Sequence, residues 1–267
     1  MRWMCGWLVM GAALAGLVGC KPSDAVRQAK PIGNEARTAE PVAPAASALD
    51  PATLGVVSGA VHFAGKAPQR LKIDMSMDPV CSMVGGENFA EQFVVHEGKL
   101  ANVYVYVKDG PAAAMSAPAR SAEPVVMDQV GCRYTPHVIA LMRGGTVEFL
   151  NSDATMHNVH TMPAVAGNEA TDVSEAAKGA PRQKRFDQPE VMMPVRCNNH
   201  PWMNAFINVS ATPFFAVTNA EGQFEIKGLP AGTYTLAAVH EKMGEQTMTV
   251  TVAPKGTEKA DFTYSMK

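Results

Sequence analysis

The chain has 267 residues, a formal net charge of −2, and 47% hydrophobic against 18% charged residues. That balance excludes a highly charged disordered protein, and the absence of a basic block with interleaved aromatics excludes nucleic acid as a partner. The length suits one large or two small domains behind a targeting segment. Such a segment is the first element of the chain. Arg2 supplies a positive start, and residues 3–18 are apolar and small, with Ala12, Ala13, Ala15 and Gly16. The run is too short for a comfortable membrane span, so residues 1–19 are expected to be an export signal.

The run ends in Leu17-Val18-Gly19-Cys20, which resembles a bacterial lipobox. The resemblance implies that Cys20 is acylated and becomes the new N-terminus. Lys21, rather than Asp, then implies the periplasmic side of the outer membrane. Multiple acyl chains would anchor the protein stably, where one alone is marginal. Residues 20–54 are rich in Ala, Pro and Ser without an apolar period, and read as a disordered tether between lipid and folded part.

Beyond residue 54 the texture predicts an all-β fold. Segments 56–63, 103–107, 137–141, 147–150, 206–209, 214–217, 234–239 and 247–252 are short and rich in Val, Phe, Thr and Tyr. Gly, Pro, Asn and Asp punctuate them, as in β-sandwiches. The stretch 164–180, with its Ala and Glu, is expected to hold one helical turn, and the Pro-, Ala- and Ser-rich stretch 109–124 reads as a linker.

The final segment contains Thr218, Gly222 and Phe224 in the pattern T-x-x-x-G-x-F. Gly228-Leu229-Pro230-Ala231-Gly232-Thr233-Tyr234 follows. This resembles the carboxypeptidase-regulatory-like, or transthyretin-like, β-sandwich family. The segment is too short for a whole sandwich. The family's opening strands match Gly59-Ala60-Val61, Gly65-Lys66-Ala67-Pro68 and Val103-Tyr104-Val105. The resemblance therefore implies a discontinuous outer sandwich, residues 55–110 plus 212–265, with a second domain inserted at 111–211. One larger fused sandwich is the alternative.

Five cysteines occur: Cys5, Cys20, Cys81, Cys132 and Cys197. With Cys5 lost in the signal and Cys20 lipidated, three remain. In an oxidising compartment an odd cysteine is free or a ligand. A Cys81–Cys132 disulfide with a Cys197 thiolate on metal is the simplest solution; two separate buried thiols are the other.

Cys197, His200 and Met203 share the run CNNHPWM, and His157 lies upstream in NSDATMHNVH. One thiolate, two imidazoles and a thioether are the donors of a copper ion that shuttles between Cu(I) and Cu(II). Each residue alone has an ordinary structural reading, and only the set points to copper. Met75, Met77 and Met83 near Cys81 read as core filler, with transient Cu(I) contacts as the alternative.

The two motifs, Asn151 to His160 and Cys197-x-x-His200-Pro201-Trp202-Met203, resemble those of cupredoxins of the amicyanin type. The resemblance covers roughly residues 125–211. It implies a Greek-key copper domain with His157, Cys197, His200 and Met203 as ligands, the histidines through Nδ1. It gives Asn158 the task of stitching the ligand loops, with its backbone N–H on the Cys197 sulfur. His160 matches a family residue that is not a ligand. Trp202 is expected at the surface beside an exposed edge of His200, where a redox partner would dock. The function implied is electron transfer by one blue copper ion in a protein that is not an enzyme. Copper delivery through the same ligands, or a β-sandwich binding module without metal, are the alternatives.

Overall fold

The computed structural model describes residues 49–118 and 123–266. The signal segment, Cys20 and all but the last residues of the tether lie outside the described residues. Among those described, no helix is long and apolar enough to cross a membrane. The fold is almost entirely β, in four sheets that pair into two sandwiches.

The outer sandwich is made from both ends of the described chain. Strand Gly55–Ala64 buries Val57, Val61 and Phe63 at alternate positions, as a half-buried strand must. It pairs antiparallel with Gln223–Leu229 and parallel with Thr257–Lys259 and Phe262–Ser265. Gly59 permits that crowding: a Cβ there would lie 1.8 Å from the Ala260 carbonyl oxygen. The facing sheet runs Phe215–Val217, Tyr104–Asp109, Gly232–His240, Gly244–Val252. Between the sheets lie Val57, Leu100, Val105, Phe214, Leu236 and Phe262.

The second sandwich uses the intervening chain. Its five-stranded sheet runs Thr171–Glu175, His157–Thr161, Glu190–Arg196, Asn204–Ser210, Val138–Met142. Its four-stranded sheet runs Arg182–Phe186, Gly145–Asn151, Val125–Gln129, Tyr134–Thr135. Met127, Val147, Phe149, Phe186, Val195 and Ile207 fill the space between them.

Three features differ from the sequence reading. The stretch 164–180 holds a strand, Thr171–Glu175, paired with His157–Thr161, and no helical turn. Its β-branched Thr171 and Val173 suit a pleated surface better than a helix. The supposed linker 109–124 begins as structure: Ala112–Met115 forms a helical turn whose Ala114 packs in the outer core. Most important for the site, residues 55–110 do not all serve the outer sandwich. Between strands Gly55–Ala64 and Val95–His96 the chain leaves as a strap, and its Ile73, Met75, Cys81 and Val84 pack on the second core. Two exposed methionines of the strap, Met77 and Met83, have no part in that core.

Candidate metal centre

Strand pairing brings the two ligand motifs together. His157–Thr161 lies antiparallel to Glu190–Arg196, with His160 opposite Arg196. Cys197 follows directly, beside the start of the other strand. The Asn158 backbone N–H donates to Cys197 Sγ at 3.3 Å. The Asn158 side chain donates to Asp172 and accepts from the Asn198 backbone N–H, at 2.9 and 3.3 Å, and Asn198 also donates to Asp172. Tyr134 donates its hydroxyl to the Asn158 carbonyl. Both ligand segments are thus tied through one residue.

The segment from Cys197 to Met203 closes on itself. Cys197 N–H donates to the Met203 carbonyl at 3.2 Å, and Met203 N–H to the His200 carbonyl at 2.9 Å. Pro201 fixes the backbone between them. Donor atoms of His157, Cys197 and His200 lie within 4.8 Å of one another. Met203 is buried in the same apolar cluster as Cys197. His160 is elsewhere, its Nδ1 against the Asn198 side-chain oxygen at 3.0 Å.

The two imidazoles show what the cluster is built for. His157 Nε2 is 2.8 Å from the Asp153 carboxylate, and His200 Nε2 is 3.1 Å from the Asp78 carboxylate. A carboxylate accepts only, so each neutral ring carries its proton on Nε2 and leaves a lone pair on Nδ1. The two Nδ1 atoms then face each other at 2.9 Å, with Cys197 Sγ 3.5 Å from that of His200. Two lone pairs and a thiolate converging in a buried site call for a cation between them. Nitrogens bound to one ion at about 2.0–2.1 Å lie about 3.3–3.6 Å apart at tetrahedral or trigonal angles, so the pair would open by about half an ångström to admit an ion. A thiolate with two imidazoles and a buried thioether suits copper.

Electrostatics agree. Burial alone would lower the basicity of His157, but the Asp153 carboxylate and the Cys197 sulfur raise its pKa to about 9. Burial would raise the Cys197 thiol; donors from His157 and from the Asn199 and Asn158 backbone N–H groups overcome this and bring it down to about 7. Asp78 is drawn down to about 2: burial opposes ionisation, but the Cys81 N–H, His200, the Val80 N–H and Thr155 outweigh it. Without metal, the cluster holds a proton on His157 where the ion would sit.

Around the rings the second partners are arranged in two matching groups. Asp153 accepts from the backbone N–H groups of Gly131 and Cys132, and Asp78 from those of Val80 and Cys81. Cys81 and Cys132 are joined by a disulfide, so each carboxylate is held beside one half of the bridge. Cys197 is the free cysteine among the described residues.

One expectation is overturned. His200 has no exposed edge; it is 3% exposed, because the strap lays Asp78 and the disulfide against it. Trp202 is half-buried, its ring centroid 5.1 Å from that of His200 and its indole N–H donating to the Cys132 carbonyl at 3.0 Å. Asp78 and Asp153 were absent from the sequence reading. Asp153 lies four residues before His157, a spacing that was available as a signal; Asp78 left none, being 122 residues from its partner.

Comparison with known proteins gives a divided picture. The family model of the carboxypeptidase regulatory-like domain matches residues 196–265. No curated protein matches the chain. Among solved structures, the chain is similar to a copper-containing nitrite reductase from Thermus scotoductus SA-01, at 26% identity over 36% of this chain and 24% of that one, TM-score 0.30. It thus spans about a quarter of the reductase's length. A purple cupredoxin from Nitrosopumilus maritimus is similar at 18% identity over 32% of this chain and 99% of its own, TM-score 0.27. A Cu(I) form of an amicyanin variant is similar at 21% identity over 41% of this chain and 99% of its own, TM-score 0.30.

Proposed function

We propose that the protein binds one type 1 (blue) copper ion through His157, Cys197, His200 and Met203, and carries electrons. The observation that supports this most is the pair of carboxylate-fixed imidazoles turning both Nδ1 lone pairs toward the Cys197 sulfur. Bound copper would supply a one-electron couple, and the chain's part is to keep its donors in place in both oxidation states. Asn158 holds the sulfur by its N–H and ties the two ligand segments, so little needs to move when the charge changes. With Cys197 4% exposed and His157 0% exposed, water is kept away from the donors.

The seal over His200 favours retention of the ion over its delivery. A delivery protein needs an open ligand for its acceptor, and here every nitrogen donor is buried. No substrate is bound or transformed in this reading, so the protein is not an enzyme. The lipobox-like Leu17-Val18-Gly19-Cys20 supports a lipid-anchored carrier on the periplasmic side of the outer membrane. Trp202, in contact with His200 and half-buried, is the favoured docking point for a redox protein.

Adding Cu(II) to the protein without residues 1–20 tests this. An intense visible charge-transfer band that disappears in Cys197→Ser, together with a reversible one-electron couple, is the expected result. A colourless protein that takes only Cu(I) would favour delivery, and one that takes no copper would leave a binding module.

A further inference from the structure

We propose that Asp78, carried to the metal centre by the strap from the outer sandwich, is the positioning residue for His200 and lowers the reduction potential of the centre. The inference rests on the copper reading above and adds a residue from the other sandwich to it.

The strap has a sequence reason to present a carboxylate there. Asp78 precedes the helical turn Pro79–Ser82 and caps it, accepting from Val80 N–H at 2.7 Å and Cys81 N–H at 3.1 Å. Aspartate before a proline at the first helical position is a favoured start. Those two bonds occupy Oδ1. They aim Oδ2 at the other sandwich, where it accepts from Thr155 Oγ1 and from His200 Nε2, both at 3.1 Å. The strap cannot drift, because Cys81 is bonded to Cys132 of the second sandwich and is buried to 1% exposure.

This contact does two things to His200. It selects the tautomer whose Nδ1 is free to bind metal. It also leaves the Nε2–H bond polarised toward an anion, which makes Nδ1 a stronger donor. A stronger nitrogen donor favours Cu(II) over Cu(I), so the reduction potential falls. Nothing on the His200-bearing segment itself reaches Nε2; the groups recorded against that atom are Asp78 and the Cys81 sulfur, both on the strap.

The test is Asp78→Asn in the copper-loaded protein, with Asp78→Glu and Ser82→Ala beside it. The Ser82 hydroxyl bonds the Pro79 carbonyl within the same turn, so its loss disturbs the strap but not the carboxylate. Losing such an outer partner costs metal affinity about 10–100-fold. The expected result is that loss for Cu(II), with Cu(I) affinity moved less; each tenfold difference raises the potential by about 59 mV. The visible band stays, since Cys197 is intact. Asp78→Glu restores part of the shift, and Ser82→Ala gives none. An unchanged potential in Asp78→Asn, or an equal shift in Ser82→Ala, overturns the proposal.

A measurement on the unaltered protein stands in if the variants do not fold. In the Cu(I) form the His200 Nε2 proton should exchange slowly with solvent by NMR; exchange at the rate of a free imidazole overturns the proposal. Wild-type protein that binds no copper would instead sink the copper reading itself.

Discussion

The outer sandwich fills its interior with Val57, Leu100, Phe214, Leu236 and the buried Tyr234 and Tyr264, whose hydroxyls each donate to a carbonyl at the margin. The second sandwich has an apolar centre of similar kind, in Met127, Phe149, Phe186 and Ile207. Toward the site, however, it buries Gln129, Asn151, His157, Asn158, Glu175 and His200. Buried polar groups cost stability unless they are paired, and an all-apolar sandwich needs none of them. Here the pairing is almost complete: Asn151 alone donates to the carbonyls of Thr155, Glu175 and Ala176. The exceptions are Gln129 Oε1 and Glu175 Oε1; Glu175 stands opposite His157 on the paired strand, and Gln129 of the facing sheet donates to its other oxygen. The contrast teaches that polar burial is heavier in the second sandwich, where many of the buried polar groups surround the converging donors, than in the outer one, where Thr218 and His240 are among the few.

The strongest way to break that contrast is to damage each core separately. Phe149→Ala and Phe214→Ala should each cost about 3–5 kcal/mol in chemical denaturation. Only Phe149→Ala should also disturb the visible band of the copper-loaded protein; equal disturbance by both would mean one coupled core. Next in size is the bridge that couples strap to site. Cys81→Ser with Cys132→Ser opens a loop of sequence separation 51, and the chain-entropy argument sets the loss at about 4 kcal/mol, read from the denaturation midpoint.

A smaller effect concerns the join between the sandwiches. His137 Nε2 meets Glu241 at 2.7 Å with both side chains 3% exposed, and His137 Nδ1 meets the Asn204 carbonyl just past Met203. Glu241→Gln should cost about 1–3 kcal/mol, leaving the visible band in place. If the band moves, the two sandwiches communicate through this pair.

The smallest change is with pH, in protein stripped of metal by a chelator. The raised His157 contributes stability below its unfolded value of 6.5 and loses it as pH climbs through about 9. The depressed Cys197 contributes above its unfolded value of 9.0 and loses it as pH falls through about 7. Between pH 7 and 9 folded and unfolded chains hold one proton each on this pair, so its contribution to stability should be flat. Copper affinity should nevertheless rise about tenfold per pH unit over that window, because the metal must displace the His157 proton. A metal competition titration checks both halves of this statement.

The sequence made the donor types and the strand texture legible, because ligand motifs are short and side-chain alternation is local. Cys197, His200 and Met203 needed only their spacing, and Gly59, Gly222 and Gly232 marked the turns and close approaches of the other sandwich. What could not be read is the relation between Asp78 and His200, since it depends on a strap leaving one sandwich for another. The same strap hides the imidazole edge that motif similarity led one to expect at the surface. The strand Thr171–Glu175 was missed because its Ala-rich flanks outweighed two β-branched residues whose partner, His157–Thr161, lies across a turn.

Strand Gly55–Ala64 has consequences for how the chain comes together in time. Apart from a short pairing of His62 with Lys99, its partners are Gln223–Leu229, Thr257–Lys259 and Phe262–Ser265, so most of its length waits unpaired until nearly all the described chain has been made. The strands of the second sandwich all lie between Val125 and Ser210 and find one another sooner. Contacts of short separation form before long ones, and an early-folded insertion draws the flanking segments toward each other. The second sandwich would thereby serve as the folding template on which the outer one closes.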